Sequence, residues 1–442
     1  MVRHNLFQRY RQQGAVFVLS ALSMLTLILC VGLAVDSGVA YGVRAKLNAA
    51  TDAAAIAAGR AIAFGEDEAR QTAEKFFYAN YPDGYLGSTP NFDPDTDITI
   101  DTLADGSIQV NISASADVPT YFMHLADIDG LEVGALTQVT RRDLDMVLVL
   151  DTSGSLNSPA GTPTKLRDAS VNFINKFVDA AGGDRVGLVV YASGAIIEEP
   201  IDKTATRGFD KAQVTSDING LTFSGITASG EALRRAYDEL NAIPEALRSS
   251  LRVIVFFSDG APNTVAAQFA TGGGSITGDL FSETSAGGPP NRLWRNDLRN
   301  TFLGTAGINI LPSQGLGGVD TDSYNNSRTL TPPAGSANSN TRCNINKAGR
   351  NMVENMANTV RDDDIRVYTL GLGAQLQALE VGFCGYGSEE EGENILKRLA
   401  NTTDSDSYDS DQFPGLYVFA ENADELDEAF NTIASEILRL TK

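Results

Sequence analysis

The sequence has 442 residues, 43% of them hydrophobic and 20% charged, a balance that excludes wholesale disorder and predicts two or three domains. Asp and Glu number 56 against 34 Lys and Arg, a net charge of -22, so the surface repels phosphate backbones and favours cations over nucleic acid. With two histidines, His4 and His124, and three cysteines, Cys30, Cys343 and Cys384, in no C-x-x-C pair, little room is left for His-based hydrolysis, zinc ribbons or thioredoxin-like chemistry.

Residues 15–35, AVFVLSALSMLTLILCVGLAV, run without a charge. About 20 helical residues cross a bilayer core, so this stretch predicts a transmembrane helix. Arg3, Arg9 and Arg11 precede it and Asp36 follows, which makes residues 1–14 a cytoplasmic tail and places the bulk outside. A cleaved signal peptide is the alternative, with Gly32-Leu33-Ala34 as the cleavage site, but such apolar cores span only about 7–15 residues. Residues 36–80 read as a helical extension, because VRAKLNAATDAAAIAAGRAIA (43–63) is rich in alanine and free of proline.

Residues 81–142 read as a small β-rich domain. DITIDTL (97–103) and SIQVNISASADV (107–118) alternate as strands do, joined by the turn Ala104-Asp105-Gly106. Asp93, Asp95 and Asp97 lack the glycine and closing glutamate of a calcium loop and read as a solvated turn.

From residue 143 to 442 the pattern is α/β. Apolar runs at 146–150, 186–191, 253–257, 367–372 and 416–420 are continuous rather than alternating, as in strands buried on both faces. Amphipathic segments lie between them, and the last starts at Asn422 with Glu425 three positions on, like a capping box. The prediction is a doubly wound, mostly parallel sheet with its ligand site beyond the carboxyl ends of the strands. One segment, 262–342, is long and rich in Gly, Ser, Thr and Asn, and reads as a partner-facing insertion at that edge.

The first strand of this region runs into VLVLDTSGSLN (147–157). Asp151, Ser153 and Ser155 either cap a helix or supply oxygens to a hard cation, with Gly154 allowing a sharp turn. Thr227, just before an amphipathic helix, and Asp259, after another apolar strand, bring two more oxygens to the same sheet edge. At this point the chain resembles the von Willebrand factor A domain. The resemblance implies that Asp151, Ser153, Ser155, Thr227 and Asp259 form a metal-ion-dependent adhesion site. Its cofactor would be a divalent cation, Mg²⁺ first and Mn²⁺ or Ca²⁺ as alternatives. A remaining coordination position would take water or a carboxylate from a protein ligand, with no catalytic residue required.

The run GAVFVLSALSMLTLILCVGLAVDSGVAYGVRAKLNAATDAAAIAAGRA (14–61) resembles the leader of TadG-type proteins of the bacterial tight-adherence (Tad, Flp) pilus system. That family implies a single-pass inner-membrane protein, its N-terminus cytoplasmic and its bulk periplasmic or extracellular. It also implies partners among the pilus-assembly components and the membrane. Relatives are cleaved after a glycine with a glutamate five residues on, whereas Gly14 here is followed by Leu19.

Cys343 and Cys384, on the exported side, are candidates for a disulfide closing a loop of about 40 residues, worth roughly 4 kcal/mol. Cys30 reads as a membrane-embedded apolar residue. Two functions stand open: adhesion or pilus assembly through a metal-completed binding site, or a structural role like that of a minor pilin, with the metal only stabilising the fold. An enzyme is not expected.

Overall fold

The computed structural model describes residues 13–103, 107–179, 182–271, 274–282, 291–305, 308–313, 328–378 and 390–441. The chain divides into two compact units, one ending at Arg141 and one running from Arg142 to Lys442.

In the first unit, helix α1 (Gln13–Ala61) has 49 residues. Its side chains are exposed from Val16 to Val31, and it is long and apolar enough to cross a membrane. Beyond that stretch the helix changes character. Asp36, Ala40, Val43, Leu47, Ala50, Ala54, Ala58 and Ala61 are buried at a spacing of three or four, one face of an α-helix.

This face packs on α2 (Glu66–Asn80) and on an antiparallel sheet of β1 (Thr89–Asn91), β2 (Ile98–Thr102), β3 (Ile108–Pro119) and β4 (Gly130–Arg141). Strand β3 is central, with β4 along one side and β1 and β2 in tandem along the other. Val110, Ile112, Ala114, Ala116 and Val118 alternate inward from β3 against the alanine stripe of α1. The stretches 36–80 and 81–142 therefore share one core, where the sequence suggested a helical extension followed by a separate domain. Alanine side chains explain the difference: their small size lets helix and sheet approach closely, yet in sequence they read only as good helix formers. The aspartates at 93–97 form a turn, Asp95 N–H donating to Asp93 Oδ1 (3.0 Å) and Asp93 N–H to Asp97 Oδ2 (2.8 Å).

The second unit is built on a six-stranded sheet of β5 (Leu144–Asp151), β6 (Arg185–Tyr191), β7 (Ala195–Glu199), β8 (Leu251–Ser258), β13 (Ile365–Leu372) and β14 (Tyr417–Ala420). The order is β14-β13-β8-β5-β6-β7, all parallel except the edge strand β7. Every residue of β5, β6 and β8 is buried. Met146, Leu148 and Leu150 face a core shared with α3 (Thr162–Ile174), α4 (Lys211–Gly220) and α8 (Leu426–Leu440). Val147 and Val149 face the other core, with α5 (Ser229–Asn241), α6 (Arg342–Asp362) and α7 (Gly392–Leu399). The fold is a doubly wound, mostly parallel sheet with helices on both faces.

The long segment after β8 is not a plain loop. Its strands β9 (Val265–Thr271), β10 (Gly274–Ser282), β11 (Asn291–Trp294) and β12 (Phe302–Thr305) form an antiparallel sheet in the order β12-β11-β10-β9. It has its own core, Val265, Phe269, Leu280 and Leu293 against Ile345, Ala348 and Met352 of α6. Gly349 makes this docking close, because a Cβ there would collide with the carbonyl oxygen of Thr264. Gly349→Ala gains helix propensity but is expected to destabilise the second unit by about 1–3 kcal/mol in denaturant unfolding, since backbone and not a flexible side chain must move.

Cys30 is a free thiol and Cys343 is disulfide-bonded. Cys384, its expected partner, lies outside the described residues.

Candidate metal centre

Strands β5 and β8 are parallel neighbours at the centre of the sheet, and the chain leaves them toward opposite faces, β5 to α3 and β8 eventually to α6. A crevice opens at such a reversal, and Asp151 and Asp259 stand at its two lips.

The turn after β5 is held by its own backbone. Thr152 donates its N–H (2.8 Å) and its hydroxyl (2.7 Å) to the Tyr191 carbonyl at the end of β6. Ser153 N–H donates to Asp151 Oδ1 at 2.8 Å, and Gly154 N–H to the Gly225 carbonyl at 3.1 Å. A short 3-10 turn, Gly154–Asn157, then presents Ser155. Gly154 does not take a left-handed conformation, and a Cβ there would meet Gly225 O at an ordinary 3.4 Å. The conformational demand falls instead on Gly225, at φ +96°, where a Cβ would run into Asn300 and Ser193.

The hydroxyl of Ser155 lies 3.0 Å from that of Ser153 and 3.0 Å from Asp259 Oδ1, and Ser153 Oγ lies 3.4 Å from the same carboxylate oxygen. Thr227 stands on the neighbouring loop, its N–H bonded to Asn263 Oδ1 at 3.0 Å and its carbonyl to Asn263 N–H at 3.4 Å. Thus Asp151, Ser153, Ser155 and Asp259 form one hydrogen-bonded cluster. Thr227 belongs to a loop docked on it through Gly225.

Two side chains and one role were not read from sequence. Ser258 Oγ lies 2.9 Å from Asp151 Oδ2, Asn263 fixes Thr227, and the insertion, expected at this edge as a partner-facing segment, straps the loops of the site. In that strap the Arg299 carbonyl accepts from Ser193 N–H (3.0 Å), and Asn300 Nδ2 donates to the carbonyl and hydroxyl of Ser224 (3.1 and 3.0 Å). Asn263, four residues beyond Asp259, was the one such signal visible in sequence.

Asp151 is fully buried, and burial followed by the charge of Asp259 pushes its carboxyl up from 3.8 to about 7. Burial likewise raises Asp259. Besides burial, the groups acting on the pair are the Asp259 charge on Asp151 and the hydroxyls and N–H groups of Ser153, Ser155, Ser258 and Asp259, none of them cationic. Two carboxylates held together with hydroxyl oxygens and, among the described residues, no basic partner make a donor set of the hard-oxygen kind that Mg²⁺ prefers. Adjacent ligands around octahedral Mg²⁺ sit roughly 3 Å apart, close to the 3.0 Å spacings among Ser153, Ser155 and Asp259. Hydroxyl hydrogen bonds have similar lengths, so the charge, more than the spacing, favours a cation. Among the described residues no group of three or more His, Cys, Asp and Glu side chains could hold a metal. This site has two carboxylates and draws its remaining oxygens from hydroxyls.

The fold and the crevice define a class: a doubly wound α/β domain with an oxygen-lined site at the carboxyl edge of its sheet. Residues 146–261 match the family model for the von Willebrand factor type A domain. Residues 14–61 match the model described as "Putative Flp pilus-assembly TadE/G-like". The chain thus carries a TadE/G-like segment near its N-terminus and a von Willebrand factor type A domain after it.

No curated protein matches the sequence. Among solved structures, the vWF domain of the type V pili tip protein Mfa5 from Porphyromonas gingivalis is 17% identical, with a TM-score of 0.40, over 69% of this chain and 98% of that one. The PilB minor pilin from Streptococcus sanguinis is 15% identical over 81% and 80% of the two chains, TM-score 0.41. Proximal thread matrix protein 1 from the mussel byssus, with a zinc-occupied MIDAS motif, is 13% identical over 67% and 46%, TM-score 0.35. TM-scores this low bear on neither activity nor partners.

Proposed function

We propose that this is a membrane-anchored component of the Tad pilus machinery that binds a protein partner through a divalent cation. Asp151, Ser153, Ser155, Thr227 and Asp259 would hold the ion, Mg²⁺ before Mn²⁺ or Ca²⁺. The observation that carries this reading is the buried Asp151 carboxylate held beside that of half-buried Asp259, clustered with hydroxyls and, among the described residues, without a basic partner.

The cation would neutralise the pair and offer a Lewis-acidic position to an incoming oxygen. Asp151, Ser153 and Thr227 are buried, whereas Ser155 is exposed and Asp259 half-buried, so the accessible side of the cluster lies at Ser155 and Asp259. A carboxylate of a pilus component fits that side, since it is the one common side-chain group with the charge and hardness to complete such a shell. Binding of this kind needs no nucleophile or general base, so the protein is read as a non-enzyme. Helix α1 would hold it in the inner membrane, with the von Willebrand factor A domain on the outer side.

Asp151→Ala in the full chain tests the reading. Mg²⁺ affinity, measured by calorimetry on the detergent-extracted protein, is expected to fall by more than the roughly 10–100-fold typical of losing an outer-shell partner. Piliation and surface adhesion should be lost with it. If the metal is lost while piliation and adhesion persist, the binding reading fails and the structural, minor-pilin-like role stands.

A further inference from the structure

The first unit carries a short turn whose apolar side chains face outward. Tyr121 is 59% exposed, Phe122 37%, Leu125 71% and Ile128 39%. Exposed side chains of this kind, close together on a surface turn, call for a partner.

The turn is fixed to α1 at a defined height. The Asp36 carboxylate, 2% exposed, accepts the backbone N–H groups of Tyr121 (3.0 Å), Phe122 (3.0 Å) and Met123 (2.7 Å). One helical turn earlier, Gly32 lies against the Phe122 side chain, so that a Cβ at 32 would come 2.8 Å from Phe122 Cγ. Asp36 is the first charged residue after the apolar run, and Gly32 lies inside that run by about 4.5 Å at 1.5 Å per residue. The exposed Val31, Leu33 and Val35 of α1 stand at the same level.

We propose that residues 121–128 are a second membrane contact, inserting Tyr121, Phe122, Leu125 and Ile128 at the boundary between headgroups and acyl chains beside the α1 span. This rests on the reading of α1 as a membrane anchor. Aromatic side chains favour that boundary, where an apolar ring and a polar tip are both accommodated. Binding Asp36 to three N–H groups satisfies a buried charge at the end of the apolar stretch and sets the depth of the turn. Asp127, Asp129 and Glu132 are exposed beside the apolar residues, so insertion draws on apolar area and gains nothing from anionic lipid.

The test uses the full chain with Cys30→Ala, which removes the free thiol, reconstituted in phosphatidylcholine vesicles. Spin labels are placed singly through Leu25→Cys in the span, Leu125→Cys in the turn and Leu136→Cys on β4. Leu125 and Leu136 are 71% and 75% exposed, so neither change disturbs a core. Accessibility to oxygen, which partitions into lipid, is compared with accessibility to a water-soluble nickel complex. Leu25 and Leu125 are expected to favour oxygen and Leu136 the nickel complex, with no gain at Leu125 when phosphatidylglycerol is added. If Leu25 reads as lipid and Leu125 matches Leu136, the second contact is overturned and the anchor stands. If Leu25 also reads as water, both fall.

Discussion

The metal-free protein is expected to become less stable as pH rises from 3.8 to about 7, and a divalent cation to reverse the loss. Below pH 3.8 Asp151 is protonated in both the folded and unfolded states and makes no difference. Between the two values the folded chain keeps a proton that the unfolded chain has released, so each rise in pH favours unfolding. Above about 7 the penalty is complete. A gap of about 3 pH units corresponds to at most roughly 4 kcal/mol.

A cation needs the ionised carboxyl, so Mg²⁺ bound as proposed would have to displace the proton below pH 7. Its affinity should rise about tenfold per pH unit and then level off. Asp279, buried near Glu231 and also held well above its ordinary value, adds a slope of the same sign. The informative quantity is therefore the difference between wild type and Asp151→Asn in chelator-treated denaturant unfolding. The variant should show a shallower pH slope and no Mg²⁺ stabilisation. Equal slopes in the two proteins, or an Mg²⁺ effect that survives the substitution, would sink both the assignment of Asp151 and its coupling to the ion.

The core of the second unit was legible because its strands are buried on both faces and so appear as unbroken apolar runs. That pattern placed Asp151 and Asp259 at strand ends, where parallel pairing in register puts them on one edge. Other elements left weaker traces. The edge strand β7, Ala195–Glu199, has one buried residue, and β11 and β12 have four residues each, too few for a periodicity to register. The insertion's sheet is stabilised by its docking on α6, a contact distant in sequence. Asp36 read as a charge marking the end of the apolar run, whereas the structure gives it three backbone donors some 85 residues away. At the far end, Asn422 Oδ1 accepts from Asp424 N–H at 2.9 Å while Glu425 reaches back to Glu421 N–H at 2.8 Å. The capping pattern was visible there because it is local.

Asp145→Ala is expected to destabilise the second unit by about 3–5 kcal/mol, the range for removing one partner of a buried ion pair. Asp145 and Arg185 face each other across β5 and β6, 0% and 1% exposed, with Arg185 Nη1 3.0 Å from Asp145 Oδ1. The same oxygen accepts from Arg207 Nη2 at 3.0 Å, and Oδ2 accepts the Ser249 N–H at 2.7 Å. Arg185 in turn reaches the carbonyls of Leu247 (2.8 Å) and Thr204 (2.6 Å). One carboxylate thereby ties two loops to the amino edge of the sheet, and its removal strands a buried guanidinium and a backbone N–H together. Asp145→Asn keeps the acceptor without the charge and should lose less. Unfolding can be followed by the fluorescence of Trp294, the single tryptophan, which lies in this unit. Asp151 lies six residue steps along β5 from Asp145, about 20 Å at 3.3 Å per residue, so the Mg²⁺ affinity of the folded Asp145→Ala protein should be unchanged. Asp151→Ala should do the converse and abolish Mg²⁺ binding at a smaller stability cost, since it removes a repelled carboxylate. If Asp145→Ala lowers stability by less than about 1 kcal/mol, or Mg²⁺ affinity falls with it, the two edges of the sheet are not the independent structural and ligand-binding poles that their charges indicate.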